Sequence, residues 1–222
     1  MAISAFLMPM GRLSDIVGRK TVYLCGLLVF VFATGICALA PNLGSLIAFR
    51  VLHGISLGMI EGNQLAIRTS IFPSKERGKA LGLHMSLVGA ALIGGPLLGG
   101  ILVDSFGWRA VFYINVPLGL MVFIPGFLVL DEKRINQPVS KGRFEGFDFL
   151  GAGLSSSALL LFLIGISNPL GLATIYNIMC LLFALFLAGS FVLWETKTPF
   201  PLLDMSLFRV PLFSLGVGAR TI

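Results

Sequence analysis

Residues 11–40 read GRLSDIVGRKTVYLCGLLVFVFATGICALA, and this stretch decides the fold. Its first ten residues carry three cations and one anion, whereas the next twenty carry no charge at all. An uncharged run of about twenty residues is long enough to cross the ~30 Å hydrocarbon core of a bilayer as a helix. The stretch therefore predicts a polar loop at a membrane surface, followed by a transmembrane helix.

The same pattern recurs along the 222-residue chain, which is 56% hydrophobic and only 12% charged. A soluble domain carries about 25% charged residues, and a single apolar run could be its buried core helix. Six such runs leave too little polar chain to coat them; they are residues 21–40, 44–68, 80–103, 110–130, 149–166 and 170–194. We expect an all-α membrane protein with six full transmembrane helices. Part of another helix precedes Gly11, and a further one starts after Pro211.

The net charge of +6 would suit a nucleic-acid partner, but the positions of the cations point elsewhere. When successive loops are assigned to alternate faces, thirteen of the sixteen lysines and arginines fall on one face, and only Arg109 falls in a loop on the other. Loops rich in Lys and Arg stay in the cytoplasm. The basic loops are residues 11–20, 68–79, 131–148 and 195–211. The charge therefore reports topology, and no nucleic-acid partner is expected.

Few residues are available for metal or catalytic chemistry. Cys25, Cys37 and Cys180 all lie within apolar runs at no metal or disulfide spacing, and His53 and His84 are isolated. No GxxxxGK loop for a nucleotide is present, nor any pairing of carboxylates or Ser and His near one interface. We therefore expect no metal, no cofactor and no enzymatic activity.

The charged segment GRLSDIVGRK resembles the loop between the second and third helices of the major facilitator superfamily. In that family the loop acts as a latch between the two halves of the transporter. The resemblance implies that the glycines permit turns and close helix contact, and that Arg19 clamps Asp15 or a neighbouring carboxylate. The alternative is that the cations only set topology. The matched residues are Gly11, Leu13, Asp15, Gly18, Arg19 and Lys20.

Residues 46–68, LIAFRVLHGISLGMIEGNQLAIR, resemble the family's fourth helix, in which an arginine precedes a glycine by four residues. Here these are Arg50 and Gly54, with His53 where the family usually has glutamine. At 3.6 residues per turn the polar residues share one side of the helix, and Asn63 lies on the opposite side. We call this side the polar stripe; it comprises Arg50, His53, Gly54, Gly58, Glu61, Gln64 and Arg68.

The polar stripe predicts a proton-coupling site. A charge at the centre of a membrane costs at least ~2.5–3.5 kcal/mol and normally faces a cavity or a partner. The resemblance makes Arg50 the proton-transfer arginine, and Glu61 supplies a carboxyl group within the span. His53 and Gln64 complete the predicted transport residues. The alternative for Glu61 is that it lies near enough to the cytoplasmic end to pair with Arg68.

Residues 89–100, GAALIGGPLLGG, resemble the fifth-helix motif of the family's antiporter branch. Small residues recur every four positions and favour close helix contact, and a proline without an N–H group bends a helix. The resemblance implies exchange rather than symport, although ordinary small-residue packing would produce the same spacing. The matched residues are Gly95, Pro96, Gly99 and Gly100.

Two further stretches resemble a narrower group, the EmrB/QacA-type drug:proton antiporters with fourteen helices. They are DSFGWRAVFYINVPLG at 104–119 and the two apolar runs between 149 and 194. The implied organisation is an N-terminal transporter bundle at 1–130 (part of helix 2 to helix 6), a cytoplasmic loop at 131–148, two extra central helices at 149–194, and a loop with the start of the C-terminal bundle at 195–222.

The resemblance implies proton-coupled efflux of drug-like or lipophilic small molecules by alternating access, driven by the proton motive force. The implied location is the plasma membrane, or the cell inner membrane of a Gram-negative organism. The implied partners are membrane lipid, a small-molecule substrate, protons and a C-terminal half of the same transporter. The alternatives are an exporter of one specific metabolite, or a truncated chain without activity of its own.

Overall fold

The computed structural model describes residues 2–131, 135, 147–168, 171, 173–199 and 201–202. Six segments within these ranges are long and apolar enough to cross a membrane, with α5 and α6 together counted as one. The prediction of an all-α membrane protein is confirmed. The helices are α1 (Ala2–Val17), α2 (Arg19–Ala38), α3 (Leu43–Ile71), α4 (Arg77–Phe106), α5 (Ala110–Tyr113), α6 (Asn115–Val129), α7 (Phe149–Ser167) and α8 (Thr174–Glu195).

The loop predicted at residues 11–20 is far shorter in the structure. Helix α1 continues to Val17, and α2 begins at Arg19. Gly18 alone separates them, and its φ of 115° is one that residues with a β-carbon rarely adopt. The prediction was too wide because the charges at a membrane surface do not themselves end a helix. Only the glycine at position 18 does so.

The span predicted at residues 110–130 is broken into α5 and α6 at Ile114. Pro117 has no N–H group and therefore cannot donate to the Tyr113 carbonyl, which weakens the helix at this point. Helix α4, by contrast, stays continuous through Pro96. A bend at Pro96 stays a prediction.

Helices α1 to α6 belong to one compact unit, Ala2–Ser140. Within it α2 packs against α3 and α6, and α1 packs against α3. One core cluster joins Leu24 and Leu27 of α2 to Ile60 of α3. A second cluster joins Cys37 to Phe112 of α5, at the predicted outer end of the helices. The start of α3 is fixed by a capping box in which Asn42 Oδ1 accepts from the Ser45 amide at 2.8 Å.

Helix α4 is packed differently from its neighbours. None of its residues is buried against the rest of the described chain. Its glycines therefore contribute nothing to the packing of this unit.

Helices α7 and α8 belong to a second unit, Lys141–Ile222. They run antiparallel, since Gly165 near the end of α7 lies against Leu181 and Asn177 near the start of α8. The helix predicted after Pro211 lies outside the described residues, as does most of the predicted loop at 131–148.

Candidate functional site

The exposed side of α3 carries the two charges that the sequence singled out. Arg50 and Glu61 are both exposed, whereas Asn63 on the opposite side is completely buried. Arg50 and Glu61 are eleven residues apart, which corresponds to about 16 Å along the helix axis. Helix α3 therefore presents exposed charges of opposite sign within one membrane-length helix.

A chain of hydrogen bonds extends from Glu61 toward the predicted cytoplasmic end of α3. The Gln64 Nε2 group donates to Glu61 Oε1 at 2.9 Å. Arg68 in turn donates through Nη2 to Gln64 Oε1. The carboxylate is thus linked to the arginine through the amide of Gln64. Glu61 is therefore linked to Arg68 through Gln64, and its role in proton coupling stays a prediction.

Tyr23 of α2 is a polar residue between α2 and α3 that the sequence interpretation missed. Its ring packs against the cluster of Leu24 and Ile60. The available signal was a hydroxyl-bearing aromatic residue within an otherwise apolar run.

Arg50 and His53 have aromatic rather than charged neighbours. The guanidinium carbon of Arg50 lies 4.6 Å from the centre of the Phe112 ring. The His53 ring is tilted by 34° against Phe30 at 5.0 Å. His53 Nε2 is buried and has no hydrogen-bond partner among the described residues. Of the four predicted coupling residues, Glu61 and Gln64 are joined by a hydrogen bond, whereas Arg50 and His53 each lie against an aromatic ring.

Three glycines of α3 form a contact surface for α1, which we call the glycine seam; it comprises Gly54, Gly58 and Gly62. A β-carbon built on Gly58 would lie 3.1 Å from Phe6 Cβ. One built on Gly54 would overlap Ala2. Helix α1 therefore covers the part of the polar stripe that bears Gly54 and Gly58. Their spacing of four residues was the signal for close helix contact.

Asn63 is a buried polar residue that the sequence interpretation only placed on the far side of the helix. Its Nδ2 group donates to the Met59 carbonyl at 2.7 Å. Its Oδ1 atom is buried without a hydrogen-bond partner in the described part of the chain. A buried polar atom of this kind costs stability.

The predicted latch residues gather around the break at Gly18. Arg19 donates to Asp15 Oδ1 from Nε at 3.1 Å and from Nη2 at 3.0 Å. This ion pair therefore joins the end of α1 to the start of α2. Lys20 lies 5.8 Å from the centre of the Phe127 ring. Gly11 is not at a turn, since it lies within α1.

The antiporter-motif residues of α4 do not meet another described helix. A β-carbon built on Gly95, Gly99 or Gly100 would have no neighbouring atom within 4 Å. The close helix contact expected there is not formed by any of the described residues.

Among the described residues no group of three His, Cys, Asp or Glu side chains is close enough together to hold a metal ion. The three cysteines are free.

The family model of the Major Facilitator Superfamily matches residues 1–220. The chain belongs to the major facilitator superfamily. It is therefore a multi-pass membrane protein of a transporter family, as the motifs in α1, α3 and α4 predicted. The narrower EmrB/QacA-type assignment, with fourteen helices, stays a prediction.

Several superfamily members are similar along nearly the whole chain. The riboflavin transporter RibZ of Clostridioides difficile is 29% identical over 97% of this chain and 45% of its own length. The multidrug resistance protein Stp of Mycobacterium tuberculosis is 30% identical over 98% of the chain and 40% of its own length. The multidrug transporter protein MdtP of Bacillus subtilis is 34% identical over 90% of the chain and 36% of its own length. The chain thus spans less than half the length of these relatives.

Proposed function

We propose that the chain is part of a secondary active transporter that exports drug-like or lipophilic small molecules in exchange for protons. One observation carries the proposal: Arg50 and Glu61 are both exposed within a 29-residue helix long enough to cross a membrane. Charges within a membrane span face a partner, a cavity or an ion pathway. The rest of the complete transporter would enclose that cavity.

Glu61 is the proposed proton carrier. Its carboxylate accepts from the Gln64 amide, and through that amide it is linked to Arg68. Protonation removes the negative charge that the amide and the arginine stabilise. Proton binding at Glu61 would therefore change the contacts of the inner third of α3, which is the coupling that an exchanger needs.

Access would alternate by rocking of packed helices about a site near the midplane. Helix α1 packs on the glycine seam of α3 so closely that the backbones of the two helices are in contact. The Asp15–Arg19 ion pair holds the junction from α1 to α2. The exposed glycines of α4 suit a contact with the remainder of the transporter. These features support a latch role for the charged segment at residues 11–20 and an antiporter role for the glycine motif of α4.

The substrate proposal rests on the relatives. Stp and MdtP are named for multidrug resistance and multidrug transport. Similarity to RibZ favours a second candidate, the export or import of one specific metabolite. In either case we place the protein in the plasma membrane. We also propose that α7 and α8 are the two additional central helices of a fourteen-helix transporter.

The test is proton-gradient-dependent extrusion of a fluorescent drug-like dye by membrane vesicles containing the complete protein. Glu61→Gln and Arg50→Ala should abolish extrusion while the protein still reaches the membrane. Glu76→Gln is the matched control, because Glu76 is an exposed carboxylate just before α4 whose side chain does not cap that helix. Wild-type extrusion by both site variants would refute the proton-coupling proposal. Extrusion that persists after the gradient is collapsed would refute it as well.

A further inference from the structure

Arg50 rests on an aromatic ring rather than beside a carboxylate. Its guanidinium carbon lies 4.6 Å from the centre of the Phe112 ring, within the ~6 Å range of a cation–π contact. The described residues supply no salt-bridge partner for Arg50. Phe112 is therefore the group that stabilises this charge in the structure.

Phe112 is held in place from its other sides. Its side chain is 6% exposed and packs with Cys37 and Ala38 at the end of α2. The Trp108 ring is perpendicular to it, at 89°, with the two ring centres 6.0 Å apart. The ring therefore has a fixed position that does not depend on Arg50.

Arg109 fastens this arrangement to α2. Its Nε and Nη2 groups donate to the carbonyls of Ala38 and Ala40, each at 3.1 Å. These carbonyls lie at the C-terminal end of a helix, where backbone acceptors lack partners within the helix and where cations are favoured. The guanidinium also lies 4.4 Å from the Trp108 ring. The outermost arginine thus anchors the turn that presents Phe112.

We propose that Phe112 is a positioning residue for Arg50, and that its ring holds the guanidinium in place while leaving its N–H groups free to bind an anion. The inference rests on the proposed proton-coupled function. An aromatic face stabilises the cation without occupying its hydrogen-bond donors, whereas a carboxylate would occupy them. Arg50 can then pair with an anionic group during transport without first breaking an ion pair.

The titratable groups around Arg50 lie on two helices. Cys37 of α2 packs against Phe112, and His53 follows Arg50 by three residues on α3. Phe112, on α5, does not titrate. A change in the position of Arg50 should therefore alter how transport depends on pH, whereas a simple packing defect should only lower the amount of active protein.

The experiment measures proton-driven dye extrusion between pH 5.5 and pH 8.5, per molecule of inserted protein. Phe112→Leu keeps an apolar side chain but removes the π face. We expect its extrusion rate to fall roughly 3- to 30-fold, the range of a cation–π contact. We also expect its pH midpoint to move by about half a unit or more, equivalent to a threefold change. Phe112→Trp keeps the π face and should restore both values.

Phe127→Leu is the matched control, since it removes the ring beneath Lys20 and leaves α3 untouched. It should leave the pH midpoint unchanged. The thermal unfolding midpoint of Phe112→Leu in detergent identifies a folding defect. If Phe112→Leu does not fold, Phe112→Trp and Phe112→Tyr are measured instead. Both keep an aromatic ring, so the proposal requires a wild-type pH profile in each, and an altered profile in either would overturn it.

The possible failures are distinguishable. If Arg50→Ala extrudes dye normally, the proposed function itself fails. If Arg50→Ala abolishes extrusion but Phe112→Leu keeps the wild-type pH midpoint, Phe112 has only a packing role and the inference is overturned. A Phe112→Leu variant whose defect is not reversed by Phe112→Trp overturns it too.

Discussion

Gly62 of α3 lies directly against Gly11 of α1, since a β-carbon built on Gly62 would lie 3.2 Å from the Gly11 amide nitrogen. Gly62 follows Glu61 in the sequence, and Gly11 precedes Asp15 by one helical turn. The contact therefore joins the helix of the proposed proton carrier to the helix of the proposed latch. A displacement of α1 relative to α3 would act on both.

The variant Gly62→Ala tests how close this contact is. Its β-carbon would also lie 3.0 Å from the Leu7 carbonyl oxygen, so that α1 must move away by a few tenths of an ångström. Overpacking of this kind costs about 1–3 kcal/mol, against a gain of about 0.5–1 kcal/mol from replacing a helical glycine. We expect a lower thermal unfolding midpoint of the purified protein in detergent.

Gly89→Ala is the control for this variant, because a β-carbon at Gly89 has no neighbouring atom within 4 Å. It should leave the unfolding midpoint unchanged or raise it. Equal midpoints for the two variants would contradict the close approach of α1 and α3.

The variant Asp15→Asn tests whether the Asp15–Arg19 ion pair contributes to transport or only to the stability of the folded protein. The Asp15 and Arg19 side chains are 30% and 28% exposed, and an ion pair this accessible contributes only ~0–1 kcal/mol. We therefore expect the unfolding midpoint to change little, whereas the rate of dye extrusion falls severalfold. Asp104→Asn, at an exposed acidic position in α4, should change neither quantity. A normal extrusion rate in Asp15→Asn would reduce the charged segment to a topology signal.

Much of the fold follows from features that act locally along the chain. Apolar runs of bilayer length predicted all six spans, because a spanning helix satisfies its own backbone. Helical periodicity also placed Asn63 and Glu61 on opposite sides of α3, as observed. A residue pattern within one helix is sufficient for both predictions.

The remaining features depend on which helix covers which side, and periodicity carries no such information. Gly54 falls on the same side of α3 as Arg50, but α1 covers only the edge that bears the glycine. The contact of Arg50 with Phe112 joins residues 62 positions apart, on two different helices. No spacing rule within a single helix predicts either contact.

The variant Gln64→Met tests the link between Glu61 and Arg68. Methionine has nearly the same length as glutamine but neither donates to Glu61 nor accepts from Arg68 strongly. A hydrogen bond to a charged group contributes about 1.5–3 kcal/mol, and its loss should slow proton-driven extrusion roughly 10- to 150-fold. The protein should still be inserted and folded, since Gln64 is only half-buried.

Thr69→Val serves as the control for Gln64→Met. Thr69 lies on the same helix, and its hydroxyl bonds only to the backbone carbonyls of Leu65 and Ala66. Its extrusion rate should equal that of the wild type. An unchanged rate in Gln64→Met would show that Glu61 works without its connection to Arg68.

Asp148 joins the start of α7 to the end of α8, and its loss should weaken the contact between these two helix ends. Its Oδ1 atom accepts from the Gly151 amide at 2.8 Å, and its Oδ2 atom accepts from Trp194 Nε1 at 2.9 Å. The chain has two tryptophans, so that Trp108→Phe leaves Trp194 as the sole tryptophan, which can be excited selectively at wavelengths where tyrosine does not absorb. In that background Asp148→Ala removes an N-cap worth about 1 kcal/mol and frees the indole.

We expect the fluorescence maximum of Trp194 to shift in Asp148→Ala, and iodide to quench it more strongly. Asp148→Asn is the matched control, because the amide oxygen can still cap α7 or accept from the indole, although the charge is gone. It should give a spectrum closer to that of the parent. If Asp148→Ala and the parent have the same spectrum and the same quenching, neither hydrogen bond of Asp148 contributes to closing the hairpin. Packing between α7 and α8 alone would then hold it together.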